Sequence, residues 1–124
     1  DISLTFKAPA GIDDLKLGPD VRRQLYLVLK ESVNNAARHS GCSRVDVEIS
    51  IAGDRLVLEV RDDGRGFDAA GEFEGHGLLS MDRRAKELRG TLRVVSLPGK
   101  GTTIRLEAPV PRRRGFLRFT SLPV

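Results

Sequence analysis

Residues 44–62, RVDVEISIAGDRLVLEVRD, alternate with period two on both sides of a Gly53-Asp54 turn. Val45, Val47, Ile49 and Ile51 share one face, while Asp46, Glu48 and Ser50 share the other. After the turn, Leu56, Leu58 and Val60 resume the apolar parity. Such alternation around a Gly-Asp turn specifies an antiparallel hairpin with one face toward a core. One step further, the same parity places Asp62 on the apolar face at the strand's end, where a carboxylate needs hydrogen-bond donors. Gly64 and Gly66 follow at once, leaving backbone open with no side chain to obstruct a ligand.

Upstream of the hairpin, Pro19 suits the first turn of a helix. Val21, Leu25, Val28, Leu29, Ser32 and Ala36 then recur at helical spacing as far as Gly41, a natural stop. Before it, ISLTFKA alternates Ile2, Leu4 and Phe6 with polar neighbours and predicts a strand with one buried face, leading into a turn-rich stretch near Pro9. Downstream, residues 62–77 are glycine-rich and read as loop. A second helix follows with Leu78, Met81, Ala85 and Leu88 on one face and Gly90 as its C-terminal cap. Two final strands, 91–97 and 102–110, flank the turn Pro98-Gly99-Lys100-Gly101. The order strand, helix, hairpin, loop, helix, hairpin predicts an α+β two-layer sandwich, a mostly antiparallel mixed sheet with helices on one face.

With 31% charged and 40% hydrophobic residues, the 124-residue chain has the composition of one soluble globular domain, not a disordered segment. We expect a folded domain over 1–110 and a basic tail over 111–124. The tail holds Arg112, Arg113, Arg114 and Arg118 and no acid; without it, 17 basic residues face 17 acidic ones. The sequence pI near 9.7 is therefore a property of the tail, and the neutral body argues against nucleic acid as a partner. Cys42 is alone, which excludes an internal disulfide and a cysteine-based zinc cluster and favours the reducing cytoplasm. No apolar run approaches the ~20 residues of a membrane helix, so no membrane contact is expected from this segment. A start at Asp1-Ile2-Ser3, neither an initiator Met nor a signal peptide, points to a piece of a longer protein.

On the first predicted helix, Glu31, Asn35 and then Arg38 or His39 are spaced i, i+4, i+7/i+8 and form a polar stripe beside the apolar face. A carboxylate and a carboxamide oxygen one turn apart suit Mg²⁺, which is held by one or two protein oxygens together with substrate phosphates. Taken alone, such a stripe is more often a solvated helix face. In the last strand Thr102 shares the parity of Ile104, Leu106 and Ala108, so it points inward like Asp62. The two could share a water and read a purine edge, adenine's exocyclic amine donating to Asp62, or could simply bond one another. Gly75-His76-Gly77-Leu78 lies where the loop enters the second helix, joining free backbone N–H groups to a positive dipole end that can cradle phosphate.

In order along the chain, ESVNNAARHS, VRDDGRGFD, GHGLLSM and GKGTTIRL resemble the nucleotide-binding boxes of the Bergerat-fold ATPases, the superfamily of gyrase B, MutL, heat-shock chaperones and histidine kinases. Within it, E-x-x-x-N-A-x-R-H-S followed by a strand opening S-R-V resembles the nitrate-sensor class of sensor histidine kinases. The resemblance implies the ATP-binding catalytic domain of such a kinase, with ATP and Mg²⁺ as ligands. It makes Asn35 the Mg²⁺ ligand and Glu31 the carboxylate that helps activate a phosphoaccepting imidazole. It makes Asp62 the adenine reader, with Gly64 and Gly66 beneath the base and Thr102 supporting Asp62 through water. Gly75, Gly77 and Leu78 would line the phosphates, Arg38 and His39 would approach them, and residues 67–74 would form a short lid.

Phosphoryl transfer in such a domain is positioning of the γ-phosphate plus charge neutralisation. His39 and His76 both lie inside binding motifs, so the acceptor is expected on a dimerisation helix absent from this sequence, with a response regulator downstream. Isolated, the chain should bind ATP without phosphorylating itself. An anti-sigma-factor serine kinase of the same fold is the alternative, and it would transfer to a partner's serine. A nonenzymatic module using the basic tail fits less well with the neutral body.

Overall fold

The computed structural model describes residues 2–10, 17–39, 41–68 and 77–110. Seven elements follow one another: β1 (Ser3–Lys7), α1 (Pro19–His39), β2 (Arg44–Ala52), β3 (Arg55–Asp62), α2 (Leu78–Glu87), β4 (Thr91–Ser96) and β5 (Thr102–Pro109). The strands form one sheet in the order β1-β2-β3-β5-β4. β1 pairs with β2 in parallel, and every other pair is antiparallel. The expected α+β sandwich with a mostly antiparallel mixed sheet is the fold observed. The expected basic tail, 111–124, lies outside the described residues.

Period-two patterning builds the inner face of the sheet. Val45 and Val47 of β2, Leu58 and Val60 of β3, and Ile104 and Leu106 of β5 are buried against Val28 and Ala36 of α1 and Leu78, Met81 and Ala85 of α2. Each inward methylene taken from water stabilises the fold by about 0.8 kcal/mol, so this layer interface dominates its energetics. Ser32 sits inside the apolar stripe of α1 and is satisfied locally, its Oγ donating to Val28 O at 2.8 Å and lying 3.4 Å from Met81 Sδ. On the outer face, Glu48, Glu59, Arg105 and Arg93 stand side by side across four strands. Arg105 reaches Glu59 at 3.3 Å and Glu107 at 3.0 Å. These side chains are partly exposed, and solvent-screened pairs of this kind add little stability.

The structure corrects two sequence expectations. Leu4 and Phe6 have the inward parity, paired in register with Val45 and Val47, yet both are exposed, at 58% and 57%. β1 is an edge strand, whereas α1 packs over β3 and α2 over β4 and β5, so among the described residues no helix covers it. Parity fixes which face a side chain takes; cover depends on where the second layer ends. Gly90 is likewise not the left-handed cap of α2. Arg89 takes that conformation, with φ 61°, and its N–H donates to Lys86 O while Gly90 N–H donates to Ala85 O. These are the two bonds of a Schellman motif, displaced one residue from the glycine. Glycine is required at 90 for another reason: a β-carbon there would stand 2.2 Å from Glu107 O of the neighbouring strand.

Candidate functional site

The end of β3 places two consecutive carboxylates in opposite settings. Asp62 keeps the inward parity and pairs in register with Thr102 of β5. Gly64 N–H donates to its Oδ1 at 2.8 Å. Burial pushes the Asp62 carboxyl above its ordinary range and the charge of Asp63 adds to this, while the backbone N–H groups of Gly64 and Thr102 pull the other way. Asp63 turns outward, accepting from Ser43 N–H at 2.9 Å, Arg44 N–H at 3.0 Å and Ser43 Oγ at 2.8 Å. These bonds, that of the Ser43 hydroxyl foremost, hold its carboxyl below the usual range. Asp63 ties the α1–β2 loop to the end of β3; Asp62 stays partly buried, its charge supported by the backbone N–H groups of Gly64 and Thr102.

Beyond Asp62 the chain crosses the β4–β5 turn at backbone contact. Gly66 has φ 66°, and a β-carbon on it would lie 2.1 Å from Leu97 O. Gly101 has φ 76°, and a β-carbon on it would lie 2.3 Å from Asp62 O. Gly99 N–H donates to Arg65 O at 2.6 Å. Ser96, 6% exposed, joins both sides: its Oγ accepts from Phe67 N–H at 2.9 Å and lies 2.8 Å from Thr102 Oγ1 and 3.2 Å from Gly101 O. Sequence reasoning passed over Ser96, although it shares the inward parity of Leu92 and Val94 that would have found it.

A second group forms where α1 meets α2. Gly77, with φ 67°, is the N-cap of α2, and among the described residues no side-chain hydrogen bond caps that end. A β-carbon on Gly77 would stand 2.5 Å from Glu31 Oε2 and 2.9 Å from its Cδ, so the carboxylate rests on the cap itself. The Leu78 side chain is wholly buried in the core, which leaves only its backbone to face a ligand. Asn35, one turn beyond Glu31, is partly buried and Arg38 is exposed. Arg65, also overlooked in the sequence, lays its guanidinium against the Cα of Gly41, joining the end of α1 to the loop after β3. Phe67 packs on the core, and Asp68 is exposed. Gly75, the His39 side chain and lid residues 69–74 lie outside what the structure describes.

The structure thus assembles Asp62, Gly64, Gly66 and Thr102 at the β3–β5 end and sets Glu31 beside Gly77 at the helix pair. A cleft of about 460 Å³ lined by Arg44, Asp46, Arg61, Asp62 and Asp63 opens at the β2–β3 end. Another, of about 470 Å³, lies between the start of α1 and the end of α2 and holds none of the expected site residues.

Residues 20–112 match the family described as histidine kinase-, DNA gyrase B-, and HSP90-like ATPases. Sensor protein VraS of Staphylococcus aureus is 35% identical over 112 residues, covering 90% of this chain and 30% of VraS. VraS of Staphylococcus haemolyticus is 37% identical over 108 residues, covering 86% and 28%. The chain therefore spans less than a third of the curated relatives it matches. Among solved structures, the blue-light activated histidine kinase of Erythrobacter litoralis superposes with a TM-score of 0.72 at 20% identity, covering 92% of this chain and 37% of that one. The histidine kinase AdeS of Acinetobacter baumannii gives 0.63 at 21% identity, covering 73% and 48%. ATP is the ligand that this membership implies, and the chain belongs to the family of histidine kinase-, DNA gyrase B- and HSP90-like ATPases.

Proposed function

We propose that this chain binds Mg-ATP and donates its γ-phosphate to a histidine on a dimerisation helix of the same kinase, for onward transfer to a response regulator. The observation that carries this reading is Asp62: a partly buried carboxylate at the sheet's end, held by the N–H groups of Gly64 and Thr102, beside a loop that only glycines can thread. Adenine's amine is the donor that such a carboxylate accepts. Gly64 and Gly66 lie under the base, and Thr102 supports Asp62 through water. Gly75, Gly77 and the Leu78 N–H line the phosphates at the uncapped start of α2, where the helix dipole favours negative charge. Arg38 and His39 approach the same phosphates.

Asn35 would supply one hard oxygen for Mg²⁺, with substrate phosphates and waters as the other ligands. When bound, Mg²⁺ neutralises phosphate charge. Glu31, pressed against the α2 cap, accepts a hydrogen bond from the incoming imidazole and orients it toward the γ-phosphate. The unit that does this is 1–110, in the cytoplasm, without the tail and without nucleic acid. No helix among the described residues is long and apolar enough to cross a membrane.

The test uses γ-labelled ATP on the chain alone and with the helical segment encoded beside it. Acid-labile label on a histidine of that segment, and none on the chain alone, is expected. Label on the isolated chain, or acid-stable label on a serine, would contradict the reading.

A further inference from the structure

Ser96 has one proton and two lone pairs to place among three neighbours. Phe67 N–H is a donor, so it takes a lone pair of Ser96 Oγ, at 2.9 Å. Gly101 O, 3.2 Å away, is only an acceptor, so the Ser96 proton goes to it. Thr102 Oγ1 is 2.8 Å from Ser96 Oγ, a contact in which either hydroxyl can donate; with the Ser96 proton on Gly101 O, it is Thr102 that donates to the remaining lone pair. Ser96, Gly101 and Thr102 are buried, so an unmade bond among them carries a full desolvation penalty.

We infer that Ser96 is a specificity-setting positioning residue: it commits the Thr102 hydroxyl proton and leaves Thr102 Oγ1 an acceptor only toward the purine edge read by Asp62. This deepens the proposed function and rests on it. With Asp62 ionised, both groups at the base edge accept. A 6-amino purine, which offers two amine protons, matches that edge; a 6-oxo purine presents an acceptor where acceptors already stand. Ser96 also carries the Phe67 N–H, so the first residue of the lid and the base-reading strand share one hydroxyl. Removing that hydroxyl frees the Thr102 rotor to donate and thereby to accommodate a 6-oxo group.

The experiment is calorimetric titration with ADP and with inosine diphosphate of the wild-type chain, Ser96→Ala and Ser96→Thr, alongside thermal unfolding of each without nucleotide. Wild type is expected to prefer ADP, and Ser96→Ala is expected to lose about tenfold of that preference, the order of one hydrogen bond to a charged or polar edge. Ser96→Thr, which keeps the hydroxyl, should retain it. A merely structural serine would weaken both nucleotides equally, so an unchanged preference in Ser96→Ala overturns the inference even if its melting point falls. Failure of the wild-type chain to bind ADP would instead overturn the nucleotide-site reading on which it rests.

Discussion

The Cα of Gly77 and the carboxylate of Glu31 are packed so closely that a methyl group on the glycine would stand 2.5 Å from Oε2. The contact joins the two helices at the point where α2 offers its uncapped N–H groups. It makes the position of Glu31 depend on the smallness of its neighbour.

Gly77→Ala should therefore act twice. A left-handed alanine costs about 1–2 kcal/mol of stability, read as a lower melting temperature. Displacement of Glu31 should slow phosphoryl transfer to the helical partner more than it weakens ADP binding. Equal effects on both would mean that the contact is only packing.

Gly66 and Gly53 share a positive φ but not their surroundings, with φ 66° and 65°. A β-carbon on Gly66 meets Leu97 O at 2.1 Å, whereas one on Gly53 meets nothing within 4 Å. In urea unfolding, Gly53→Ala should cost about 1 kcal/mol from backbone strain alone. Gly66→Ala should cost about 2–3 kcal/mol, because the loop must also part from the β4–β5 turn. Similar losses would show that the crossing is loose.

Asp62→Asn should stabilise the nucleotide-free chain. The folded-state pKa of Asp62 is raised above its unfolded value. Its contribution to stability is thus present at low pH and lost as pH rises through the folded pKa, where the buried carboxylate must ionise. Asparagine keeps the acceptor for Gly64 N–H without the charge. At neutral pH the variant should melt at or above wild type, and the difference should vanish on acidification below the carboxylate range.

Asp63→Asn should do the reverse. Hydrogen bonds from Ser43 and Arg44 hold the Asp63 carboxyl below its ordinary range. The stability this confers is present above the unfolded pKa and is lost as pH falls through the folded one. The variant should melt below wild type at neutral pH and converge with it in strong acid. Parallel melting curves at all pH values would contradict the tie between the α1–β2 loop and the end of β3.

Much of this was legible from period and parity. The hairpin of β2 and β3, the inward turn of Asp62 and Thr102 and the stripe of α1 all follow from residue spacing, because side chains alternate rigidly on a strand and recur by turns on a helix. What parity cannot report is the extent of the opposite layer, so Leu4 and Phe6 read as core although they lie beyond the helices. Nor does spacing show long-range backbone approach. Gly90 looked like a helix cap when its smallness serves a neighbouring strand, and the bond of Ser96 to Phe67 spans a separation that no local pattern encodes. The four motifs supply the candidate site residues; the sheet register places Asp62 beside Thr102, and the packing of α1 on α2 places Glu31 beside Gly77.

The most direct measurement is calorimetric titration of the chain with ADP, with Mg²⁺ and then with chelator, beside Asp62→Asn under the same conditions. Saturable binding that weakens on chelation and is lost in Asp62→Asn, while that variant still melts cooperatively, is the expected result. Binding that survives the substitution unchanged would contradict the assignment of Asp62 as the group that reads the base.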